Sequence, residues 1–291
     1  MKPEVERKIQ SGYSDFFQAR LSDREFDKLS GFIMQEYGIK MPPVKKVMLQ
    51  SRLQKRLKEL NMVSFKEYIE YVFSQKGQQE EVIHMIDVVS TNKTDFFREP
   101  VHFELLSSQV LPEFYNSHRN NIFRVWSSGC SSGEEPYTMA ITLAEFAERN
   151  PGFDYSIYAT DISTKMLKVA VDAIYKEEKI EIVPLTFKKK YFLRSKNRED
   201  QKVRIIPGLR NKIMFERLNL ISERYNTPDT YDAVFCRNVL IYFDREVQQD
   251  ILSKICLRLK RDGYLFLGHS ESVTGLDLPL KHLQPTVFKR L

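Results

Sequence analysis

From residue 121 onward one unit recurs: a short apolar run, a polar turn, then a stretch with helical spacing. The runs are 122–126 (IFRVW), 155–160 (YSIYAT), 212–217 (KIMFER), 231–236 (YDAVFC), 264–268 (YLFLG) and 285–290 (PTVFKR). Between them, 134–149 (EEPYTMAITLAEFAER) and 244–260 (DREVQQDILSKICLRLK) repeat apolar residues every three or four positions. A strand that is apolar throughout needs cover on both faces, and helical crossovers supply it. The alternation therefore predicts an α/β fold with a mostly parallel sheet. Such sheets bind ligands at the carboxyl ends of their strands, so the turns after the runs are where chemistry is expected.

One stretch breaks the rhythm. Residues 188–211 are polar, with eleven basic and three acidic side chains over 188–217. The β-like pieces KYFLR and KVRII flank the charged turn SKNREDQ, which predicts a small β hairpin insertion at about 188–211. Ahead of the alternating region, residues 15–90 read as helices. Phe26, Leu29, Phe32 and Ile33 recur at helical spacing, as do Leu49, Leu53, Leu57 and Leu60. Ser64 has the place of an N-cap, with Glu67 completing a capping box. The expected organisation is a helical N-terminal domain at 1–90, a linker and first helix at 91–120, and an α/β domain at 121–291.

Composition narrows the class. Hydrophobic residues are 42% and charged residues 29% of 291, which suits a protein with a real core and excludes low-complexity or disordered chains. No stretch approaches the roughly 18 apolar residues of a membrane span. The start, MKPEVERKIQ, lacks the apolar run of a signal peptide. Three scattered cysteines and five scattered histidines make neither a disulfide framework nor a metal site, so reduced thiols and a cytoplasmic location are expected, with no metal. The net charge of +6 is unevenly spread. Lys40 to Lys58 holds seven basic residues and no acid, which predicts an anionic partner.

Four turns carry candidate chemistry. VWSSGCSSGEEPYT (125–138) is a strand, a Gly- and Ser-rich turn and a helix start near Pro136. Its Gly129 and Gly133 are expected to admit a ligand close to the backbone. Asp161, in YATDIS, ends the next strand, where an acid can bind a ribose diol or serve as an N-cap, a job for which Ser163 competes. YDAVFCRNVLIYFD (231–244) delivers Cys236, Arg237 and Asn238 to the same edge. STNKTDFFREP (90–100) is a polar linker with two aromatics and an arginine.

With KRDGYLFLGHSES (260–272), these segments resemble the CheR-type chemotaxis receptor methyltransferases, protein-glutamate O-methyltransferases. The resemblance covers nearly the whole chain in order: helical domain, NKTDFFRE, SSGCSSGEEPY, ATDIS, FCRNVLIYFD, LFLGHSES. It implies a Rossmann-like, S-adenosylmethionine-dependent methyltransferase domain that methylates glutamate side chains on the cytoplasmic helical region of chemoreceptors. S-adenosylhomocysteine would be the product. The resemblance also implies a monomer in the cytoplasm, recruited to membrane receptor clusters. It places cofactor contacts at Asn92, Thr94 and Arg98, at Glu135 (with Glu134 the alternative), at Asp161, at Asn219 and Leu220 beside the adenine, and at Arg237 and Asn238.

The chemistry suits these residues. Methyl transfer from a sulfonium is an in-line displacement, and a carboxylate acceptor is already ionised at pH 7, so positioning and water exclusion supply most of the rate. Tyr242 is the candidate to orient the acceptor carboxylate, and Arg98 is counted with it as catalytic. Lys45, Arg52 and Arg56, on a helix at 44–60, are expected to form a solvent-exposed stripe that meets an acidic substrate helix. In the family, an insertion like 188–211 can take a receptor C-terminal peptide, though SKNREDQ has no glycine in its turn.

Three other readings attach to the same residues. GCSSG fits the G-x-S-x-G nucleophile elbow of hydrolases, with Ser131 as nucleophile and His269 or His282 as base, but no oxyanion segment precedes it. A nucleic-acid methyltransferase would suit the basic patches, but CRNVLIYF departs from the [DN]PP[YF] pattern of base methylation, so no nucleic acid is expected. A non-catalytic adenosylmethionine-binding signalling protein would share every contact.

Overall fold

The computed structural model describes residues 19–118 and 121–291. The chain forms two compact units, one ending at Thr91 and one beginning at Asn92.

The first unit is helical: α1 (Asp23–Tyr37), α2 (Lys46–Leu60), α3 (Phe65–Val72) and α4 (Gln75–Val89). Each periodic apolar set faces inward; Leu29, Ile33, Leu49, Leu53 and Leu57 are fully buried. Ser22 and Glu25 make a reciprocal capping box on α1. The box expected at Ser64 is only half formed. Ser64 accepts the Glu67 amide at 3.2 Å, while Glu67 turns back to the Val63 amide.

The basic stripe expected on α2 is corrected here. Arg56 is drawn inward: Nε donates to Glu81 Oε1 at 2.8 Å and Nη2 to Glu81 Oε2 at 2.6 Å, and it also pairs with Glu59. Glu81 is 2% exposed and takes the Tyr68 hydroxyl at 2.9 Å as well. Arg52 donates to the carbonyls of Val89 and Ser90, closing the C-terminal end of α4. Both arginines are internal ties of the helical unit, because burial of α4 against α2 brings an acid and unpaired helix-end carbonyls within their reach. Lys45 reaches the Lys40 carbonyl at 3.1 Å, and Lys55 is exposed.

The second unit begins with the segment 92–100 and a helix in three parts: α5 (Val101–Leu105), a π turn (Leu106–Val110) and α6 (Leu111–Ser117). A seven-stranded sheet follows, in the order β6-β2-β1-β7-β8-β10-β9. Strands β1 (Ile122–Ser127), β2 (Asp154–Asp161), β6 (Ile213–Arg217), β7 (Tyr231–Cys236) and β8 (Leu259–Leu267) run parallel. The edge hairpin β9 (Leu280–Gln284) and β10 (Val287–Arg290) is antiparallel, with β10 inserted against β8. Side chains alternate between two cores: Val125, Phe235 and Phe266 pack on one face, and Trp126, Val234 and Leu265 on the other. Helices α7 (Glu134–Arg149), α8 (Thr164–Asp172) and a later helix, Arg245–Arg258, are the crossovers.

The insertion is larger than the hairpin expected at 188–211. It is a three-stranded antiparallel sheet, β3 (Ile174–Lys176), β4 (Phe192–Arg194) and β5 (Lys202–Ile205), in the order β3-β5-β4. The lysines 188–190 belong to helix α9 (Leu185–Tyr191), which runs directly into β4. With α9 in place, the helix at Arg245–Arg258 is α10. The three cysteines, Cys130, Cys236 and Cys256, are reduced and buried.

Candidate functional site at the carboxyl edge of the sheet

The turns after β1, β2, β7 and β8 and the segment 92–100 meet at one edge of the sheet. The turn 128–133 is bound to both neighbours: Ser128 N–H donates to Phe235 O, and Cys130 N–H to Thr160 O, each at 2.9 Å. Ser131, at φ 48°, donates its amide to Asp161 Oδ2 at 2.7 Å and its hydroxyl to Asn92 O at 3.0 Å. Asp161 Oδ1 accepts Ser163 N–H at 2.8 Å. Ser163 itself caps α8, so Asp161 is not the N-cap. The hydroxyl that a hydrolase would use as nucleophile is committed to a backbone carbonyl.

The glycines of this turn admit protein where a ligand was expected. A Cβ on Gly129 would lie 2.3 Å from Val239 Cγ2, and one on Gly133 2.9 Å from both Ala170 Cβ and the Tyr175 hydroxyl. α7 starts at Glu134, two residues before Pro136. Its two first-turn acids part company. Glu134 takes the Ser132 hydroxyl at 2.6 Å. Glu135 takes the Ser127 hydroxyl at 2.7 Å and the Arg237 guanidinium at 3.0 Å. Burial pushes both carboxyls up, and Arg237 pulls Glu135 back.

Arg237, 5% exposed, is the hub of the edge. Beyond Glu135, its Nη2 donates to Arg98 O and to Glu99 Oε2, the latter at 3.1 Å. Glu99 lies in a tightly turned stretch, with Phe97 at φ 53° and Glu99 itself at φ 56°. Burial acts against its charge, but Arg237, the His269 amide and Asn238 together hold its carboxyl below the usual range. Phe96 anchors the stretch by edge contacts with Tyr175 and Phe192 of the insertion. Arg98 turns its Nη1 to Lys93 O at 3.0 Å. An open cavity of about 380 Å³ lies between Asp95–Pro100 and the residues Glu178, Lys179, Glu181 and Ile182.

Asn238, at φ 57°, places its amide and those of Val239 and Leu240 on the Glu271 carboxylate, which also accepts Gly268 N–H. Leu218 N–H donates to Asp161 O at 3.0 Å, which brings Asn219 and Leu220 beside the end of β2. Tyr242 closes the one-turn helix Leu240–Tyr242 and is half-buried. Of the residues expected from sequence, Asn92, Arg98, Glu135, Asp161, Arg237 and Asn238 are thus joined by bonds or shared partners at one edge. Sequence reasoning passed over Glu99, Glu271 and His102, although FFREP and LFLGHSES contain the first two.

His102 is 1% exposed, and its Nε2 meets Thr286 Oγ1 at 2.9 Å. Its Nδ1 lies 3.6 Å from Glu99 Oε2, and burial, then Arg237, lowers its pKa to about 4. Glu99, His102 and His269 bring ligand atoms within 4.8 Å of one another, but the Arg237 guanidinium already supplies the positive charge at Glu99.

The segment from residue 92 to 288 matches the model of the CheR methyltransferase S-adenosylmethionine-binding domain, and residues 24–90 match the CheR all-alpha domain. The chain belongs to the CheR methyltransferase family. The chemotaxis protein methyltransferase of Borreliella burgdorferi is 37% identical over 270 residues, covering 91% of this chain and 94% of that protein. The chemotaxis protein methyltransferase of Escherichia coli is 38% identical over 257 residues, covering 88% and 87%. Chemotaxis protein methyltransferase 2 of Pseudomonas aeruginosa is 33% identical over 279 residues, covering 95% of each. The CheR family fixes the class: an adenosylmethionine-dependent methyltransferase, with a helical domain ahead of a Rossmann-like one. No helix among the described residues is long and apolar enough to cross a membrane.

The groups at the edge fit that cofactor. Its hydroxyls, adenine, ammonium and carboxylate call for a buried acid, amides and a cation. Asp161, Asn92, Asn219, Asn238 and Arg98 are groups of those kinds, and Arg237 keeps a buried Nε–H that no protein group accepts.

Proposed function

We propose that this CheR family enzyme transfers the methyl group of S-adenosylmethionine to glutamate side chains on the helical cytoplasmic region of chemoreceptors. The observation that carries the reading is the junction of Glu135, Asp161, Arg237 and Asn238 at one strand edge, four positions of the CheR cofactor pattern. Asp161 takes the ribose hydroxyls, Asn219 and Leu220 flank the adenine, and Asn92, Thr94, Arg98, Glu135, Arg237 and Asn238 hold the rest. When bound, the cofactor supplies an electrophilic sulfonium methyl. The acceptor glutamate is ionised at neutral pH and needs no general base. Tyr242 orients that carboxylate, and the buried ties of Arg237 keep the edge rigid and dry enough for in-line attack.

Lys45 and Lys55 of the helical unit present positive charge to the acidic receptor helix; Arg52 and Arg56 are withdrawn from that role. The insertion sheet, through its short edge strand β4, is the place for a receptor C-terminal peptide to add as a strand.

The test uses labelled adenosylmethionine and membranes rich in chemoreceptors. Label that enters a receptor band and leaves in mild base is a glutamate ester. Base-stable label would point to nitrogen methylation and overturn the reading. Label appearing nowhere, with cofactor bound, would favour a non-catalytic sensor.

A further inference from the structure

We infer that Glu271 is a positioning residue whose carboxylate holds the Arg237–Leu240 turn in the shape that receives the cofactor. The inference rests on the reading of Arg237 and Asn238 as cofactor contacts. Four backbone amides converge on this one side chain. Oε2 accepts Asn238 N–H at 2.9 Å and Gly268 N–H at 2.6 Å; Oε1 accepts Val239 N–H at 2.8 Å and Leu240 N–H at 2.7 Å. Three successive amides point the same way because Asn238 is left-handed and Val239 right-handed (φ −116°, ψ −41°). Alternation of that kind curls the backbone into an anion-binding nest. Here the anion is the chain's own side chain, 8% exposed, delivered by the turn after β8.

The surroundings leave the carboxylate little freedom. A Cβ on Gly268 would stand 2.4 Å from Asn238 Nδ2 and 2.8 Å from Asn238 N, so the two turns are in backbone contact. Val239, the middle residue of the nest, packs its side chain against Gly129 of the turn after β1. One carboxylate thereby fixes three turns at once: it fastens the β7 turn to the β8 turn directly, and it sets the Val239 contact that limits the β1 turn. Arg237 leaves β7 immediately before the nest, so its aim toward Glu135 and Glu99 depends on where Asn238 starts.

Charge and shape make opposite demands in substitution, which separates positioning from filling. Glu271→Gln keeps the shape but puts an amide nitrogen where two N–H groups already point. Glu271→Asp keeps the charge but is one methylene short. If the anchor is the carboxylate, Gln is worse than Asp; if the side chain merely fills space, Asp is worse than Gln. Two readouts apply below the melting temperature of each variant: S-adenosylhomocysteine affinity by calorimetry, and hydrogen exchange of the Val239 and Leu240 amides in ligand-free protein. For Glu271→Gln we expect about 10- to 100-fold weaker binding, the scale of hydrogen bonds to a charged group, and at least about tenfold faster exchange at both amides with the strands unchanged. Wild-type affinity and protection in Glu271→Gln would overturn the inference. If Glu271→Gln does not fold, Glu271→Asp decides: a several-fold loss is expected, and wild-type values overturn it. Failure of the unaltered protein to bind S-adenosylhomocysteine would remove the cofactor reading instead, and the exchange rates would still decide the anchor.

Discussion

Glu135 and Arg237, 102 positions apart in the chain, meet at 3.0 Å as the first-turn acid of α7 and the base that follows β7. The pair is shared: the same guanidinium holds Glu99 at 3.1 Å, so one buried cation balances two carboxylates that are 11% and 12% exposed. Removing it strands both. Arg237→Met should destabilise the second unit by about 3–5 kcal/mol, the cost of breaking a buried pair from one side. Urea unfolding measures it. Arg237→Met with wild-type stability would mean that Glu99 and Glu135 find other partners.

Asp161 accepts two backbone amides, Ser131 at 2.7 Å and Ser163 at 2.8 Å. Asp161→Ala should weaken S-adenosylhomocysteine binding by about 1.5–3 kcal/mol. Calorimetry with and without chelator is the measurement, and unchanged affinity would move the ribose contact elsewhere. Asp161→Asn keeps one acceptor oxygen and should fall between the two.

His102 has its folded pKa depressed to about 4, against about 6.5 unfolded. Between those values the unfolded chain carries the proton and the folded chain does not. Stability should therefore fall as pH drops from 6.5 toward 4, by at most about 1.4 kcal/mol per pH unit from this residue. Unfolding midpoints of wild type and His102→Gln at several pH values isolate it. Their difference should shift in favour of the variant as pH falls; a constant difference would show that the fold leaves the His102 pKa undepressed.

Arg56 and Arg52 are unsuitable for testing receptor docking, since reversal at either breaks the helical unit. Arg56→Met alone should cost that unit about 3–5 kcal/mol by leaving the buried Glu81 charge with the Tyr68 hydroxyl but no cation. The docking test belongs at Lys45 and Lys55. Reversing both to glutamate should raise KM for receptor severalfold, most at low ionic strength, with cofactor affinity unchanged. A KM indifferent to reversal and to salt would remove the electrostatic docking role.

The central parallel strands β1, β2 and β7 were legible because they are mostly buried on both sides and so largely apolar; 231–236 and the helix 134–149 carry their observed bounds in the sequence. β9 was not legible, since its residues are half or fully exposed and no apolar pattern marks it. β3 has three residues with only Tyr175 buried, too few to show a period. The ties of the edge left still less trace. Glu271 accepts backbone amides about thirty residues away, and a backbone donor imposes no partner residue. The acid-free run in α2 was misleading for a similar reason: the i±4 rule sees a helix's own neighbours, whereas Arg56 finds Glu81 on another helix, 25 positions on.

The three cysteines pack as volume. Cys130, Cys236 and Cys256 are each at most 2% exposed, and burial pushes all three thiols upward, so little reactive thiolate is present at neutral pH. Two of them sit on the turn and strand that build the carboxyl edge of the sheet, yet alkylating reagents and mild oxidants have no route to either sulfur without opening the fold. The native sequence is consequently its own clean background for spectroscopy. A single cysteine introduced at an exposed position of the helical unit such as Lys66 would take a maleimide dye alone. Distances to a labelled receptor helix could then be followed in the unmodified catalytic unit.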